Sequence, residues 1–532
     1  MDGFVLEQSR LAVEKARGVW PERVATDFLD RWAAEKPDAT ALVSWKIEEE
    51  RETRLTYREL ARRTARAAHA LERAGVRRGD VVSFQLPSGW EFVAIYLATV
   101  RLGAAANPLM PIFRRRELAF MLGQAAPRVF VAPARFRGFD HGALARELAA
   151  AFPGMRVLLA GGEGAESLEA ALAAAPEAGS FERGARLGPN DVTQLLYTSG
   201  TTGESKGVLH TSNTLLGAVL EFARFMKLTP QDVIFMPSPL AHQLGFCYGM
   251  LLSLALGVPL VLTDIWRPAR AAQLIEAHGA SFTFAATPFL ADLAGIDRKL
   301  GRLRLFASSG APIPPAVAQA ARDKLGVAVA ACWGMTECCS VTITPPDGTR
   351  AAESDGRALP NGEVRIVGDD GQEAPRGTIG ALQVRGASLF AGYLKRAHLY
   401  RLAEGGWFDT GDLARMDEAG FIRICGRSKD VIIRGGENIP VVEIESALYR
   451  MPEVADAAVV AMPDPRLQER ACAFVTVRLG RSLELDAVCR HLAAEGFSRH
   501  FWPERLEVLA EMPRTATGKI QKFVLREIAQ AF

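Results

Sequence analysis

Short apolar runs alternate with helix-length segments over the first 331 residues, and that alternation restricts the fold more than any single motif. The runs lie at 40–45, 81–86, 104–108, 129–132, 157–160 and 193–197. A second series at 233–236, 259–262, 282–285, 303–307 and 327–331 repeats the spacing. Strands separated by helices in this way build βαβ units, so the sheets should be largely parallel. Thr56 caps one of the predicted helices, with Glu59 three residues on. The texture changes near residue 356. Short alternating runs at 363–367 and 381–385 are separated by Gly368-Asp369-Asp370-Gly371 and Pro375-Arg376-Gly377, which are hairpin signals. From about 426 a third texture begins, with a helix at 442–449, strands at 454–461 and 471–477, and a helix at 485–494. The expected fold class is α/β. A large N-terminal domain, 1–426, holds two parallel-sheet α/β subdomains and a small β-subdomain. A small α+β domain, 427–532, closes the chain.

Length supports this division, because 532 residues exceed one hydrophobic core and imply roughly two to four domains. The formal net charge of +2 gives no case for nucleic acid. The densest basic run, Arg114-Arg115-Arg116, reads as the solvated start of a helix. Seven cysteines, an odd number, show no metal-ligand spacing even at the adjacent Cys338 and Cys339. Reduced thiols in a cytoplasmic protein are the simplest reading. Residues 1–20 have no apolar signal core. Residues 244–263 carry no charge and are long enough to span a bilayer, but Gly257-Val258-Pro259 interrupts them. They read as a buried helix ending near 256 and then a buried strand, with no membrane span.

One loop stands out chemically. Tyr197-Thr198-Ser199-Gly200-Thr201-Thr202-Gly203-Glu204-Ser205-Lys206-Gly207-Val208 follows an apolar strand and precedes a helix at 211–227. Its glycines let backbone N–H groups turn inward on a phosphate. Thr198, Ser199, Thr201 and Thr202 add donors, and Lys206 adds a positive charge. The spacing is not that of the Walker loop, since Glu204 and Ser205 separate Gly203 from Lys206.

Further stretches sit where a nucleotide site would need them. Ser308-Ser309-Gly310-Ala311-Pro312 follows a strand, and its small residues would let backbone lie against a flat ring. Cys332-Trp333-Gly334-Met335-Thr336-Glu337 follows the next strand, with an aromatic face, a hydroxyl and a carboxylate. Trp407-Phe408-Asp409-Thr410-Gly411-Asp412 supplies a carboxylate at a turn. Ile424-Cys425-Gly426-Arg427-Ser428-Lys429-Asp430 marks the last change of texture. Near the end, Thr515-Ala516-Thr517-Gly518-Lys519 places a lysine on a hydroxyl- and glycine-bearing loop. Singly, Trp333 reads as a core aromatic, Asp412 as a turn cap and Lys519 as a surface lysine.

Together, in this order and at these separations, the stretches resemble the adenylate-forming superfamily: acyl-CoA and aryl-CoA synthetases, luciferases and the adenylation domains of peptide synthetases. The resemblance covers nearly the whole chain. Arg434-Gly435-Gly436-Glu437-Asn438-Ile439 and Pro239-Leu240-Ala241-His242 look like the bacterial acid–CoA ligases of short- and medium-chain fatty acids and cyclohexanecarboxylate. The resemblance implies a two-step reaction on a small carboxylic acid with ATP, Mg²⁺ and coenzyme A, in a monomer or homodimer. It implies that Thr198, Ser199, Gly200, Thr201, Thr202, Gly203 and Lys206 hold the β- and γ-phosphates. Glu337 would hold Mg²⁺. Trp333 and the Gly310-Ala311-Pro312 backbone would sandwich adenine, beside Gly334, Met335 and Thr336. Asp412 would accept from the ribose hydroxyls, with Ile424 and Arg427 nearby. Lys519 would reach the forming acyl phosphate. His242 would gate the acyl pocket, although a satisfied core histidine has the same sequence signature. Leu244, Phe246, Cys247, Cys338 and Cys339 would line that pocket. Lys429 would be the hinge of a mobile C-terminal domain, whose rotation withdraws Lys519 and brings Gly435 and Gly436 to the path of the CoA thiol.

Three rival readings arise. An amino-acid adenylation domain needs a carboxylate near the start of the 243–256 helix, and no acid occurs there before Asp264. An aryl-acid adenylating enzyme that loads a separate carrier protein remains as the alternative. A non-catalytic nucleotide sensor does not need Lys206, Glu337 and Lys519 together.

Overall fold

The computed structural model describes residues 1–176, 186–198, 205–296, 298–310, 313–427, 431–434, 437–465, 467–514 and 520–532. Among the site residues expected from sequence, Ser199, Gly200, Thr201, Thr202, Gly203, Ala311, Pro312, Lys429, Gly435, Gly436 and Lys519 lie outside the described residues. The chain forms two compact units. One comprises Met1–Ala352, Ala358–Glu363 and Arg385–Arg401; the other comprises Glu353–Arg357, Val364–Val384 and Leu402–Phe532.

The first unit is built on two sheets. The six-stranded sheet runs, in spatial order, Lys206–Thr211, Val192–Thr198, Ala105–Pro108, Val81–Phe84, Val129–Pro133 and Arg156–Ala160. Its strands are parallel except for the edge strand Lys206–Thr211, which is antiparallel to Val192–Thr198. Val81–Phe84, Ala105–Pro108 and Val129–Pro133 are buried at every position, which explains their mostly apolar character; the two polar residues among them pair, Asn107 Nδ2 donating to Ser83 Oγ at 2.7 Å. The second sheet contains, in order, Cys339–Ile343, Ala328–Met335, Leu305–Ser309, Phe282–Ala286, Ile234–Met236, Leu260–Thr263, Thr40–Lys46 and Arg51–Thr56. Its interior is parallel, while Cys339–Ile343 and Arg51–Thr56 are antiparallel additions.

Local chemistry sets the helix starts. Thr56 Oγ1 accepts from the Glu59 N–H at 3.2 Å, and Glu59 Oε2 accepts from the Thr56 N–H at 2.7 Å, so both orphan donors are satisfied. Thr211 and Thr214 cap Ser212–Phe225 reciprocally, at 3.2 and 3.1 Å. The apolar stretch after His242 is helical, but Gly245–Leu251 is a π-helix, set between α-geometry at Gln243 and Leu244 and over Leu252–Leu256. Gly257 ends it at φ +69°, and the strand Leu260–Thr263 follows. No helix among the described residues is long and apolar enough to cross a membrane.

The second unit has an antiparallel sheet that includes Gly380–Gly386, Trp407–Met416 and Ile422–Arg427. A separate sheet is formed by Glu437–Ile439, Ile432–Arg434, Gln468–Val477 and Val454–Asp464, with Arg505–Val508 parallel to Gln468–Val477. The helices Val441–Leu448 and Leu485–Ala494 pack an apolar core on it with Ile444, Leu448, Val459, Val475 and Val488.

Candidate active site

The loop read from sequence as a phosphate cradle lies between two paired strands. Thr198 and Lys206 are register partners at the loop end of the hairpin Val192–Thr198/Lys206–Thr211, one on each side of the loop. Lys206 is therefore a strand residue rather than part of a free loop. Gly207 follows it because a Cβ there would lie 2.7 Å from Leu195 Cδ1 and 3.1 Å from Leu394 Cβ. The Gly207 carbonyl accepts from the Leu394 N–H at 2.8 Å, which ties the hairpin to the segment 386–395.

That segment carries Tyr393. Lys206 Nζ lies 5.1 Å from the Tyr393 ring centroid. The Tyr393 hydroxyl donates to Glu337 Oε1 at 2.8 Å, and both residues are buried. Burial and the neighbouring Glu337 charge push the phenol pKa up, so it stays a proton donor. The Glu337 carbonyl accepts from the Phe390 N–H at 2.7 Å.

Glu337 is delivered by a tight reversal. Ala328–Met335 turns directly into Cys339–Ile343, and a Cβ on Gly334 would overlap the Cys339 carbonyl. Cys339 itself sits in the left-handed region, at φ +57°. Trp333 lies within the strand rather than after it, paired with Thr342 and buried. The neighbouring strand ends at Ser309, opposite Cys332. One step beyond that pair, Gly310 has left its strand, at φ +89°, while Trp333 is still within the adjacent one.

His210 braces the same reversal. Its Nε2 lies 2.7 Å from the Thr336 carbonyl oxygen, and its Nδ1 lies 3.0 Å from Thr214 Oγ1. A carbonyl only accepts, so Nε2 carries the proton and Nδ1 is the acceptor. Burial pushes the His210 pKa down to about 4, which keeps the ring neutral. The motifs did not mark His210 or Tyr393. A lone histidine beside a helix cap and a lone tyrosine near a glycine carry no spacing signal.

His242 caps the helix that begins at Gln243. Its Nδ1 accepts from the Leu244 N–H at 3.3 Å, and its carbonyl accepts from Phe246 at 2.9 Å. Gln243 Nε2 lies 3.4 Å from Cys339 Sγ, and Tyr248 Oη accepts from the Ser340 N–H at 2.8 Å. These contacts bring the helix carrying Leu244, Phe246 and Cys247 against Cys339–Ile343. Phe246 stacks edge-on to Tyr96, with ring centroids 4.7 Å apart. Leu244, Phe246, Cys247, Cys338 and Cys339 are all buried. Burial raises the Cys247 pKa well above the ordinary thiol range, with the Cys339 thiol adding to it, so Cys247 is no ready nucleophile.

In the second unit, Asp412 lies on the strand Trp407–Met416 rather than at a simple turn. Gly411, at φ +71°, kinks the strand, and the Asp412 N–H donates to Thr410 Oγ1 at 3.1 Å. Asp412 Oδ1 pairs with Arg427 Nε at 3.0 Å from the adjacent strand, where the two are register partners. Asp412 is buried and Arg427 half-buried. The Ile424 N–H donates to Asp355 Oδ2 at 2.8 Å, and burial holds the Asp355 pKa above its ordinary value.

A divalent ion fits this donor set in one way. Among the described residues no three His, Cys, Asp or Glu side chains cluster as a metal cage. Mg²⁺ needs only one or two carboxylates when nucleotide phosphates and water complete its shell, and Glu337 is a carboxylate of that kind.

The AMP-binding enzyme family matches residues 29–394, and the AMP-binding enzyme C-terminal domain matches residues 443–519. The medium-chain fatty-acid–CoA ligase of Escherichia coli (strain K12) is 34% identical, over 98% of this chain and 94% of that protein. The salicylyl-CoA synthase / salicylate adenylyltransferase of a Streptomyces species is 35% identical, over 96% of this chain and 95% of that protein. Among solved structures, ATP-bound MatB from Rhodopseudomonas palustris superposes with a TM-score of 0.84 at 29% identity, covering 95% and 99% of the two chains.

Proposed function

The chain belongs to the AMP-binding enzymes and is an AMP-forming acid–thiol ligase, and from that premise we propose which acid it takes and which residues carry the reaction. The acid is a neutral-tailed monocarboxylate, aliphatic or alicyclic and of short to medium length. The side chains assigned to its pocket, Leu244, Phe246, Cys247, Cys338 and Cys339, are buried and uncharged. A second carboxylate on the substrate would be buried there without a cationic partner, at a prohibitive desolvation cost. The similarity to a medium-chain fatty-acid–CoA ligase supports the same choice.

In the first step a carboxylate oxygen attacks the α-phosphorus of ATP, and the bond to pyrophosphate breaks. Such a transfer needs positioning and neutralised charge more than covalent help. The observation that carries the assignment is the convergence of Lys206, Tyr393 and Glu337 in one unit. Lys206 and the 198–206 loop hold the outer phosphates, and Glu337 holds the ion. A bound Mg²⁺ neutralises phosphate charge. Gly310-Ala311-Pro312 and Trp333 take adenine, and Asp412 with Arg427 takes the ribose. Lys519 meets the charge at the acyl phosphate. In the second step the CoA sulfur attacks the acyl carbon, and the bond to AMP breaks. Domain 427–532 turns about Lys429 between the steps, exchanging Lys519 for the Gly435-Gly436 loop against domain 1–426.

The test is an acid panel with ATP and CoA, followed by AMP and thioester formation. Octanoate and cyclohexanecarboxylate should lead, with benzoate and salicylate behind. A preference for succinate overturns the pocket reading. The second reading, an aryl-acid adenylating enzyme that loads a carrier protein, draws on the similarity to the salicylate adenylyltransferase. It requires salicylate to lead the panel and a holo-carrier protein to replace free CoA.

A further inference from the structure

We propose that Tyr393 is a positioning residue for adenylation, holding Lys206 on its ring face and Glu337 on its hydroxyl, and that the N-terminal segment clamps it in place. The inference rests on the reading of Glu337 as the ion's carboxylate.

Lys206 and Glu337 carry opposite charges, and both are needed by the nucleotide. A flexible lysine and a flexible glutamate close together tend to pair with each other, and each would then be withdrawn from its task. Tyr393 gives each a separate partner. The ring face attracts the ammonium, at 5.1 Å from Nζ to the centroid, without neutralising it. The hydroxyl donates to Glu337 Oε1 at 2.8 Å, which fixes the carboxylate plane and leaves its negative charge intact. A metal-binding carboxylate oriented by such a hydrogen bond binds its ion more tightly than one left to rotate.

Tyr393 is itself held from outside the region matched by the family, which begins at residue 29. The Val5 N–H donates to the Ala391 carbonyl at 2.7 Å, and the Lys395 N–H donates to the Asp2 carbonyl at 3.1 Å. The Arg10 guanidinium donates to the carbonyls of Gly386 at 3.3 Å, Phe390 at 2.9 Å and Leu389. The Trp20 indole N–H donates to the Ala387 carbonyl at 3.0 Å. Gly392, at φ +118°, has no room for a Cβ because the Gly3 carbonyl occupies that space. The backbone on both sides of Tyr393 is thus tied to residues 2–20, and its ring packs edge-on against Phe390, with centroids 4.6 Å apart.

The experiment is Mn²⁺ binding to the full-length enzyme with ATP, read by electron paramagnetic resonance, alongside the KM for ATP in acid-dependent pyrophosphate exchange. Tyr393→Phe keeps the ring and removes the donor, so Mn²⁺ binding should weaken by about 10-fold. Tyr393→Leu removes both contacts and should in addition raise the KM for ATP above that of Tyr393→Phe. Arg10→Gln should weaken Mn²⁺ binding in the same direction, by less, and it carries the test if Tyr393→Phe does not fold. Glu337→Gln is the reference. Weak Mn²⁺ binding in Glu337→Gln with parental binding in Tyr393→Phe overturns the role of Tyr393 alone. Parental binding in both overturns the reading of Glu337 and the inference with it.

Discussion

Two acidic residues of the proposed nucleotide site, Glu337 and Asp412, are held in opposite ways. Glu337 sits in the first unit, buried, with its side chain on Tyr393, its carbonyl on Phe390 and the preceding carbonyl on His210. Asp412 sits in the second unit on a kinked strand, paired across the sheet with a half-exposed arginine. The first arrangement fixes a charge from several directions. The second offers a carboxylate whose hydrogen-bond partners can be shared. An ion beside transferring phosphate tolerates little displacement, because small errors in geometry cost large factors in rate. The ribose proposed for Asp412 has neutral hydroxyls far from the bond that breaks, so its acceptor needs less exact placement.

The largest expected effect tests whether the second unit also supplies a charge to the chemistry itself. Lys519→Ala should reduce adenylation by about 10² or more, the scale for losing a preorganised electrostatic donor. Thioester formation from supplied acyl-AMP should be far less affected. Equal damage to both steps would remove the distinction between a braced first unit and a second unit that serves one step at a time.

Asp412→Asn comes next. It keeps the shape and removes the charge opposite Arg427, so the KM for ATP should rise by about 10-fold, the scale of a charged hydrogen bond. The Mg²⁺ titration should keep its midpoint. A shifted midpoint would show that Asp412 and Glu337 act as one coupled site.

A smaller effect is expected at His210. His210→Phe leaves the buried Thr336 carbonyl without its donor and should cost about 1–3 kcal/mol in denaturant unfolding. His210→Gln retains an amide donor and should recover part of that loss. Equal costs for the two variants would mean that packing, not the hydrogen bond, holds the reversal.

Much of the architecture could be read from residue pattern. Thr56 with Glu59 named a helix start that both hydrogen bonds realise, and Gly257 named a helix end. What escaped has physical causes. Gly245–Leu251 is apolar on every side, so no periodicity distinguishes π from α geometry. Lys206–Val208 reads as loop because its glycine and lysine are poor strand formers, yet it opens the edge strand Lys206–Thr211, which is held by its partner. Arg51–Thr56 is highly charged and extended only because it pairs with Thr40–Lys46. Trp333, Glu337, Asp412 and Arg427 were marked by motif order. Tyr393 and His210 were not, because each matters through contacts with residues more than 50 positions away, Lys206 and Glu337 for the tyrosine and Thr336 for the histidine.

A further effect concerns pH. Burial holds His141 and His210 at about 4, below the ordinary histidine value of about 6.5. The unfolded chain takes up protons on both below about 6.5, and the native state does so only near 4, so stability should fall as pH drops through that window. His210→Gln should reduce the slope by about one proton. An unchanged slope would mean that His210 is not held neutral by its burial.

Acid-dependent exchange of pyrophosphate into ATP, measured without CoA, tests the central claim most directly. The enzyme should catalyse exchange with a neutral monocarboxylate such as octanoate, and adding CoA should then convert the bound adenylate to thioester and AMP. Release of ADP and phosphate, or exchange that does not depend on any carboxylic acid, would contradict it.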